Sequence, residues 1–296
     1  MRIIKNMTSL VAGFILCLVA CQKSADILPG NGQDTYLNFY NASEVLQQNL
    51  AFSNNNLVII NDTVPGTKTL NQMRFSSTDD FRQYPRTVSG AELVNDPIGL
   101  PLGTTYDVIY WKPIEAGSYR FIYTSLNKVY LKDTTIVVSP KSFTTQYLVE
   151  SSIADDAYRI LTVPEERKGT QGKVRIKVIN LSPDFGSLEV YRADQNGNQI
   201  PAGLPTALRY GQNSSYAEID TVGTAKTRGQ LLLKFRKSGS DAVVLTRAVD
   251  AISNSSFVVV FQGFEKAANR RIKTGNQAVE TVKVSPNLRV NVRRVF

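Results

Sequence analysis

An all-β chain carrying two tandem β-sandwich domains is the fold this sequence predicts. Three observations lead there. Short segments rich in β-branched and aromatic residues recur along most of the 296 residues, with Pro, Gly, Asn or Asp between them. Helical patterning is confined to two stretches, residues 44–50 and 91–94, too short to carry a helical fold. The two halves also line up as copies, each a unit of about 120–130 residues with many short strands, which is the pattern of a sandwich.

Taken in order, residues 1–20 read as a signal peptide. Arg2 and Lys5 precede an apolar run over residues 10–20, and Leu18-Val19-Ala20 leads into Cys21. This resembles the bacterial lipoprotein signal, in which the cysteine is lipidated and becomes the new N-terminus. The run is too short to span a bilayer as a mature helix. Residues 21–34, rich in Gly, Ser, Asn, Asp and Pro, read as a flexible tether between lipid and folded body. The first sandwich is expected over residues 35–167, with strands near 36–40, 57–60, 106–111, 118–123, 134–138 and 143–149. The polar stretch 165–172 holds two glycines and marks the linker, placed at 168–173. The second sandwich follows over 174–296, with strands near 173–180, 187–191, 216–219, 230–236, 242–248, 256–264, 279–284 and 288–295. Asn196-Gly197 between two of these is a tight-hairpin signal.

The internal repeat is specific. Tyr36-Leu-Asn-Phe-Tyr-Asn-Ala-Ser43 aligns with Val174-Arg-Ile-Lys-Val-Ile-Asn-Leu-Ser182, each a strand ending in Asn-x-Ser. Tyr106 aligns with Tyr216, residues 115–123 with 227–235, and residues 139–149 with 252–261. Within the second half, Val178-Ile-Asn-Leu-Ser-Pro-Asp184 followed by Leu188-Glu-Val-Tyr191, and a Gly/Ser turn ending at Tyr216, resembles the domain of unknown function 4397 family. The first half resembles it less, lacking the Pro-Asp after Ser43. The resemblance implies secreted, tandem β-sandwich modules on Bacteroidetes-like lipoproteins, immunoglobulin-like or transthyretin-like in fold. It brings no catalytic residues.

Composition removes whole classes of chemistry. With 42% hydrophobic and 20% charged residues there is enough apolar material for real cores. The cysteines are Cys17, inside the removed run, and Cys21, so the mature chain is expected to hold no disulfide and no thiolate metal site. The chain contains no histidine. Histidine-based triads, the common zinc sites and an imidazole switch are thereby excluded. No metal or other cofactor is expected. Net charge is +9, and removal of Arg2 and Lys5 leaves +7. On a secreted lipoprotein that balance meets anionic headgroups and acidic glycans, so nucleic acid is not an expected partner. The basic clusters at residues 168–177 and 289–294 read as solvated surface.

Individual motifs are weak. Ser125-Leu-Asn-Lys128 and Lys273-Thr-Gly275 echo a serine penicillin-interacting enzyme, but Ser125 lies in a hairpin pattern rather than on a helix. Asp194-Gln-Asn-Gly-Asn198 alternates oxygen ligands like a calcium loop, yet Gln199 and Pro205 occupy its glycine and glutamate positions. The acid pairs Asp79-Asp80, Asp155-Asp156 and Glu165-Glu166 are sequence neighbours, which point apart on a strand, whereas a glycosidase needs carboxyls facing each other. Tyr119, Phe121 and Tyr123 share a strand face and read as core. Trp111, the only tryptophan, and Tyr110 beside it are the candidate ligand contacts, with core packing as the competing reading. Thr63, Thr134 and Thr221 sit in Asp-Thr-x tripeptides resembling Bacteroidetes-like O-glycosylation sites, against the plainer reading of strands that start after a turn.

The function these readings predict is a non-catalytic cell-envelope lipoprotein, attached to the membrane through lipid on Cys21. Its sandwiches serve adhesion, glycan binding or scaffolding of an envelope complex. The missing aspartate after Cys21 resembles a chain passed to the outer membrane, and Gln22-Lys23 loosely resembles a surface-export signal. Two alternatives stay open: a carboxylate-dependent glycan-active enzyme, and a subunit of a surface fibre assembled by strand addition.

Overall fold

A computed structural model describes residues 35–48, 56–60, 81–84, 107–109, 111–124, 130–151, 158–221, 229–273 and 278–296. The signal peptide, Cys21, the tether and the expected turn at 91–94 lie outside the described residues. The chain is all-β. Its first half holds β1 (Thr35–Asn41), α1 (Glu44–Gln48), β2 (Asn56–Ile60), β3 (Phe81–Tyr84), β4 (Asp107–Val108), β5 (Lys112–Ile114), β6 (Gly117–Thr124), β7 (Tyr130–Val138), β8 (Phe143–Glu150) and β9 (Tyr158–Glu165). The second half holds β10 (Lys173–Leu181), β11 (Leu188–Ala193), β12 (Gln199–Ile200), β13 (Ala217–Asp220), β14 (Gln230–Lys237) and β15 (Val243–Asp250). It continues with β16 (Ser255–Gln262), β17 (Ala268–Lys273), β18 (Val279–Val284) and β19 (Arg289–Arg294).

The repeat predicted from sequence recurs in the topology. An inner sheet ordered β5-β1-β8-β9 corresponds to β13-β10-β16-β19, and an outer sheet ordered β3-β2-β6-β7 corresponds to β12-β11-β14-β15. In both inner sheets the first strand runs parallel to its partner, β1 along β8 and β10 along β16. The turn after that strand is also shared: Asn41 Oδ1 accepts from the Ser43 N–H at 3.0 Å, and Asn180 Oδ1 from the Ser182 N–H at 3.1 Å. Register corrects one part of the sequence alignment. Leu37 pairs with Lys112 as Ile176 pairs with Ala217, so Trp111, not Tyr106, takes the place of Tyr216. Of the expected strand over 106–111, the described residues form only β4 at 107–108, and the chain then crosses to the other sheet, where β5 begins at Lys112.

Each half buries its own seam. In the second, Val174, Ile176, Val178, Phe257 and Phe261 of the inner sheet pack on Leu188, Val190, Leu231, Leu233 and Phe235 of the outer. In the first, Leu37, Phe39 and Leu148 pack on Phe121 and Tyr123, which confirms the core reading of that aromatic face. The two inner sheets then pack on each other through Tyr40, Tyr147, Val149 and Val163 against Ile179, Leu181, Val258 and Val260. Inner strands are therefore covered on both sides, and β10 and β16 are buried almost end to end.

Pieces are exchanged across that contact. β4 of the first half extends the second half's inner sheet alongside β19. The β17–β18 ribbon of the second half returns Ile272 and Val284 to the first half's core, joined there by Phe264. Gln48 of α1 exchanges two hydrogen bonds with the Ser285 backbone, at 2.8 and 3.1 Å. Among the described residues no helix is long and apolar enough to cross a membrane.

Candidate functional site

Trp111 stands just before β5, half-buried, at one end of the contact between the inner sheets. Its ring meets Phe143 edge-on at 5.2 Å, and Phe143 stacks on Tyr36 at 4.8 Å with only 8° between planes. The stack follows from register, since Tyr36 and Phe143 are directly paired across β1 and β8. The Arg167 guanidinium lies 5.8 Å from the centroids of both Phe143 and Phe296. Trp111 thus caps an aromatic and cationic cluster with part of its surface open to solvent. Tyr110 lies outside the described residues.

Behind this cluster the sheets enclose charge. Lys177 Nζ donates to Glu165 Oε2 at 3.0 Å and to the Pro164 carbonyl at 2.6 Å, with side chains 7% and 0% exposed. Tyr216 donates its hydroxyl to the same Glu165 oxygen at 2.9 Å, while its ring faces Arg175 at 4.5 Å and Lys177 at 4.6 Å. Burial pushes the Glu165 carboxyl above its usual range, opposed by the Lys177 ammonium. The Tyr216 hydroxyl is pushed up as well, first by burial and then by Glu165. Arg293, 4% exposed, donates to Asn38 Oδ1 at 2.6 Å and sits 4.3 Å over the Tyr40 ring. Arg175, Lys177 and Arg293 are therefore buried, which corrects the solvated-surface reading for these three, while Lys168 stays exposed and Lys173, Arg289 and Arg294 are half-exposed. The alternation Val-Arg-Ile-Lys-Val in β10 was a correct strand signal, but a second sheet covers the face it marks as polar.

A second polar knot lies at the other end of the contact. Glu44 of α1, 1% exposed, accepts from Gln262 Nε2 at 3.0 Å and from Arg289 Nη1 at 2.8 Å, and also from Asn287 Nδ2. Glu150 accepts from the Ser43 hydroxyl at 2.7 Å and the Val45 N–H at 2.9 Å. Its other oxygen, Oε2, is buried without a hydrogen bond, and burial raises its carboxyl above the usual range. None of this was legible in the sequence, because the partners lie more than a hundred residues apart.

The remaining candidates separate. Glu165 points into the sheet contact while Glu166, mostly exposed, pairs with Arg175 at 2.5 Å, so these neighbours do point apart. Asp79-Asp80 and Asp155-Asp156 lie outside the described residues. Asp194 accepts from the Asn196 and Asn198 N–H groups at 2.8 Å each, shaping the β11–β12 hairpin with Gly197 at φ 88°. Among the described residues no group of three or more Asp or Glu comes together as a cation site. Thr134 is half-buried in β7, the Thr221 hydroxyl donates to the Gly172 carbonyl at 2.9 Å, and Thr63 lies outside the described residues. β6 and β7 pair antiparallel around Ser125-Leu-Asn-Lys128, itself outside the described residues, as are Thr274 and Gly275. Set against known proteins, the chain matches no family model and no curated sequence.

Proposed function

We propose that this chain is a non-catalytic lipoprotein of the bacterial outer membrane, anchored through Cys21, whose joined sandwiches act as one rigid binding or scaffolding body. The supporting observation is where the buried ionisable groups go. Glu44, Glu165, Lys177 and Arg293 all take partners on the opposite half, Glu44 reaching from α1 to the half-buried Arg289 and the others joining the inner sheets. An enzyme would aim such groups at an open cleft. Residues 21–34 would hold this body off the bilayer at no more than about 3.3 Å per residue.

The test is fractionation of cells expressing the full chain or Cys21→Ser. The wild type is expected with outer-membrane lipid and the variant in the soluble fraction, folded. A Cys21→Ser protein that still sediments with lipid overturns the anchoring. Release of soluble products when the purified protein is incubated with a polysaccharide panel overturns the non-catalytic part.

The strand-addition alternative has its own observation. β7 and β15 end their outer sheets, and Val137 on β7 is 78% exposed, with Val243 and Val244 on β15 near 40%. Cross-linking on intact cells from cysteines placed along β7 would capture a neighbour if that reading holds.

A further inference from the structure

Residues 21–34 join the described structure at Thr35, and the chain is held firmly there. The Thr35 hydroxyl and the Tyr36 N–H both donate to the Ser142 carbonyl, at 2.8 Å each. Because β1 runs parallel to β8 and β8 antiparallel to β9, the starts of β1 and β8 and the end of β9 share one end of the molecule. The second half adds Phe296 to that end. Ser256 donates its hydroxyl to the Lys168 carbonyl and its N–H to the Phe296 carbonyl, the latter at 3.0 Å.

The half-buried rings gather at this end. Trp111 meets Phe143 edge-on, and the Arg167 guanidinium reaches both Phe143 and Phe296. Lys141, in the turn before Phe143, and Lys168, next to Arg167, are exposed. The acids of this end stand apart from the rings. Glu166 is taken by Arg175 at 2.5 Å, and Glu218 and Asp220 face Lys173 from β13, the far edge of its sheet. Exposed Glu115 after β5 is the acid that opposes the three cations. A second basic face, Arg271 and Lys283 on the outside of the β17–β18 ribbon, lies beside α1, past the other end of β1.

We infer that the tether end of the molecule is a lipid-contacting face, seated on the anionic headgroup layer of the membrane that holds Cys21. Indole rings favour the headgroup level, where one part of the ring is apolar and another wet. Each Lys or Arg close to an anionic surface strengthens attachment by about fivefold, within a Debye length of that surface. The tether keeps this end nearest the bilayer, because residues 21–34 reach at most about 46 Å when fully extended. A contact that is weak in free solution is then populated through its high effective concentration. The inference deepens the outer-membrane reading and rests on the lipid anchor.

The experiment reconstitutes the protein, purified from membranes with its anchor, into vesicles and reads the emission of Trp111, the only tryptophan of the chain. Vesicles of phosphatidylcholine are compared with vesicles that also hold phosphatidylglycerol, each carrying a phosphatidylcholine spin-labelled on its headgroup as quencher. Quenching and a blue shift are expected with phosphatidylglycerol, and their reversal at high salt. Lys141→Glu with Lys168→Glu is expected to weaken the seated state by about tenfold or more. Arg271→Glu with Lys283→Glu is expected to leave it unchanged, and matching thermal unfolding establishes that both variants keep the fold. An unquenched Trp111 in the anionic vesicles overturns the inference. So does quenching lost in the ribbon variant but kept in the tether-end variant, and equal quenching in the neutral vesicles overturns the anionic preference. Flotation of the vesicles at high salt reads the anchor separately. Protein left behind there overturns attachment through Cys21, while the low-salt quenching still reports on the face.

Discussion

Two sheet-on-sheet contacts in this molecule are built from opposite materials. The seam inside the second half is built mainly of apolar residues, from Val174, Ile176 and Val178 to Leu231, Leu233 and Phe235. The contact between the inner sheets mixes valines and tyrosines with buried Arg175, Lys177, Arg293 and Glu165. Apolar burial is non-directional and stabilises in proportion to area. Buried charges are costly unless paired, so the second contact is satisfied in one relative placement of the sheets. The first contact supplies stability, and the second selects which faces meet. Equivalent positions show the same division. Ser43 Oγ donates to the buried Glu150 carboxylate at 2.7 Å, whereas Ser182 Oγ donates to the Gly263 carbonyl at 2.6 Å and meets only the exposed Asp184 carboxylate, at 3.5 Å, so the charge at the first half's turn is the buried one.

The largest expected effect lies in the apolar seam. Phe261 is fully buried, with Phe185 at 4.7 Å and Phe235 at 6.0 Å, and Phe261→Ala should cost about 4 kcal/mol in urea unfolding. A loss no larger than that of a surface change would mean the seam is not the main source of stability.

Next comes the ion pair. Lys177→Met strands the Glu165 carboxylate and should cost about 3 kcal/mol, while Lys177→Met with Glu165→Met should recover most of that. If the double variant stays as weak as the single, the pair is not what tunes the contact. Ser43→Ala removes the hydroxyl that accepts from the Leu46 N–H at 3.2 Å and donates to Glu150, and should cost about 1 kcal/mol. Ser182→Ala is the matched comparison.

The smallest effect is in pH dependence. Burial holds the Glu150 carboxyl above its usual range, so the folded state binds that proton more tightly than the unfolded chain. Its contribution is therefore complete below the ordinary carboxylate range and is lost as pH rises through the raised value. Glu150→Gln should remove that decline and gain on the wild type as pH rises, by denaturant midpoints measured from acid to neutral pH. A variant that loses ground to the wild type as pH rises would contradict the assignment.

Much of this architecture was readable from local pattern. The Asn-x-Ser turns after β1 and β10, the Asn-Gly hairpin and the core face of Tyr119, Phe121 and Tyr123 each depend on neighbours a few residues away. Strands β9 and β17 were harder, whereas β18 falls on the strand expected at 279–284. Tyr158–Glu165 interrupts its apolar residues with Arg159, Thr162 and Pro164, and Ala268–Lys273 is mostly polar, so neither alternates cleanly. Trp111 was singled out for its rarity, but its pairing with Phe143 required the register of β1 against β8.

By itself the sequence determined that the chain is β, that it repeats, and that histidine chemistry is closed to it. These follow from side-chain types and from a strand's period of two, which are local properties. Only the tertiary structure decided which faces are covered. The polar face of β10 reads as a water-facing surface until a second sheet, contributed by residues more than a hundred positions away, comes down on it. Whether a cation is solvated or buried is set by what packs over it, and that is not encoded within the span of one strand.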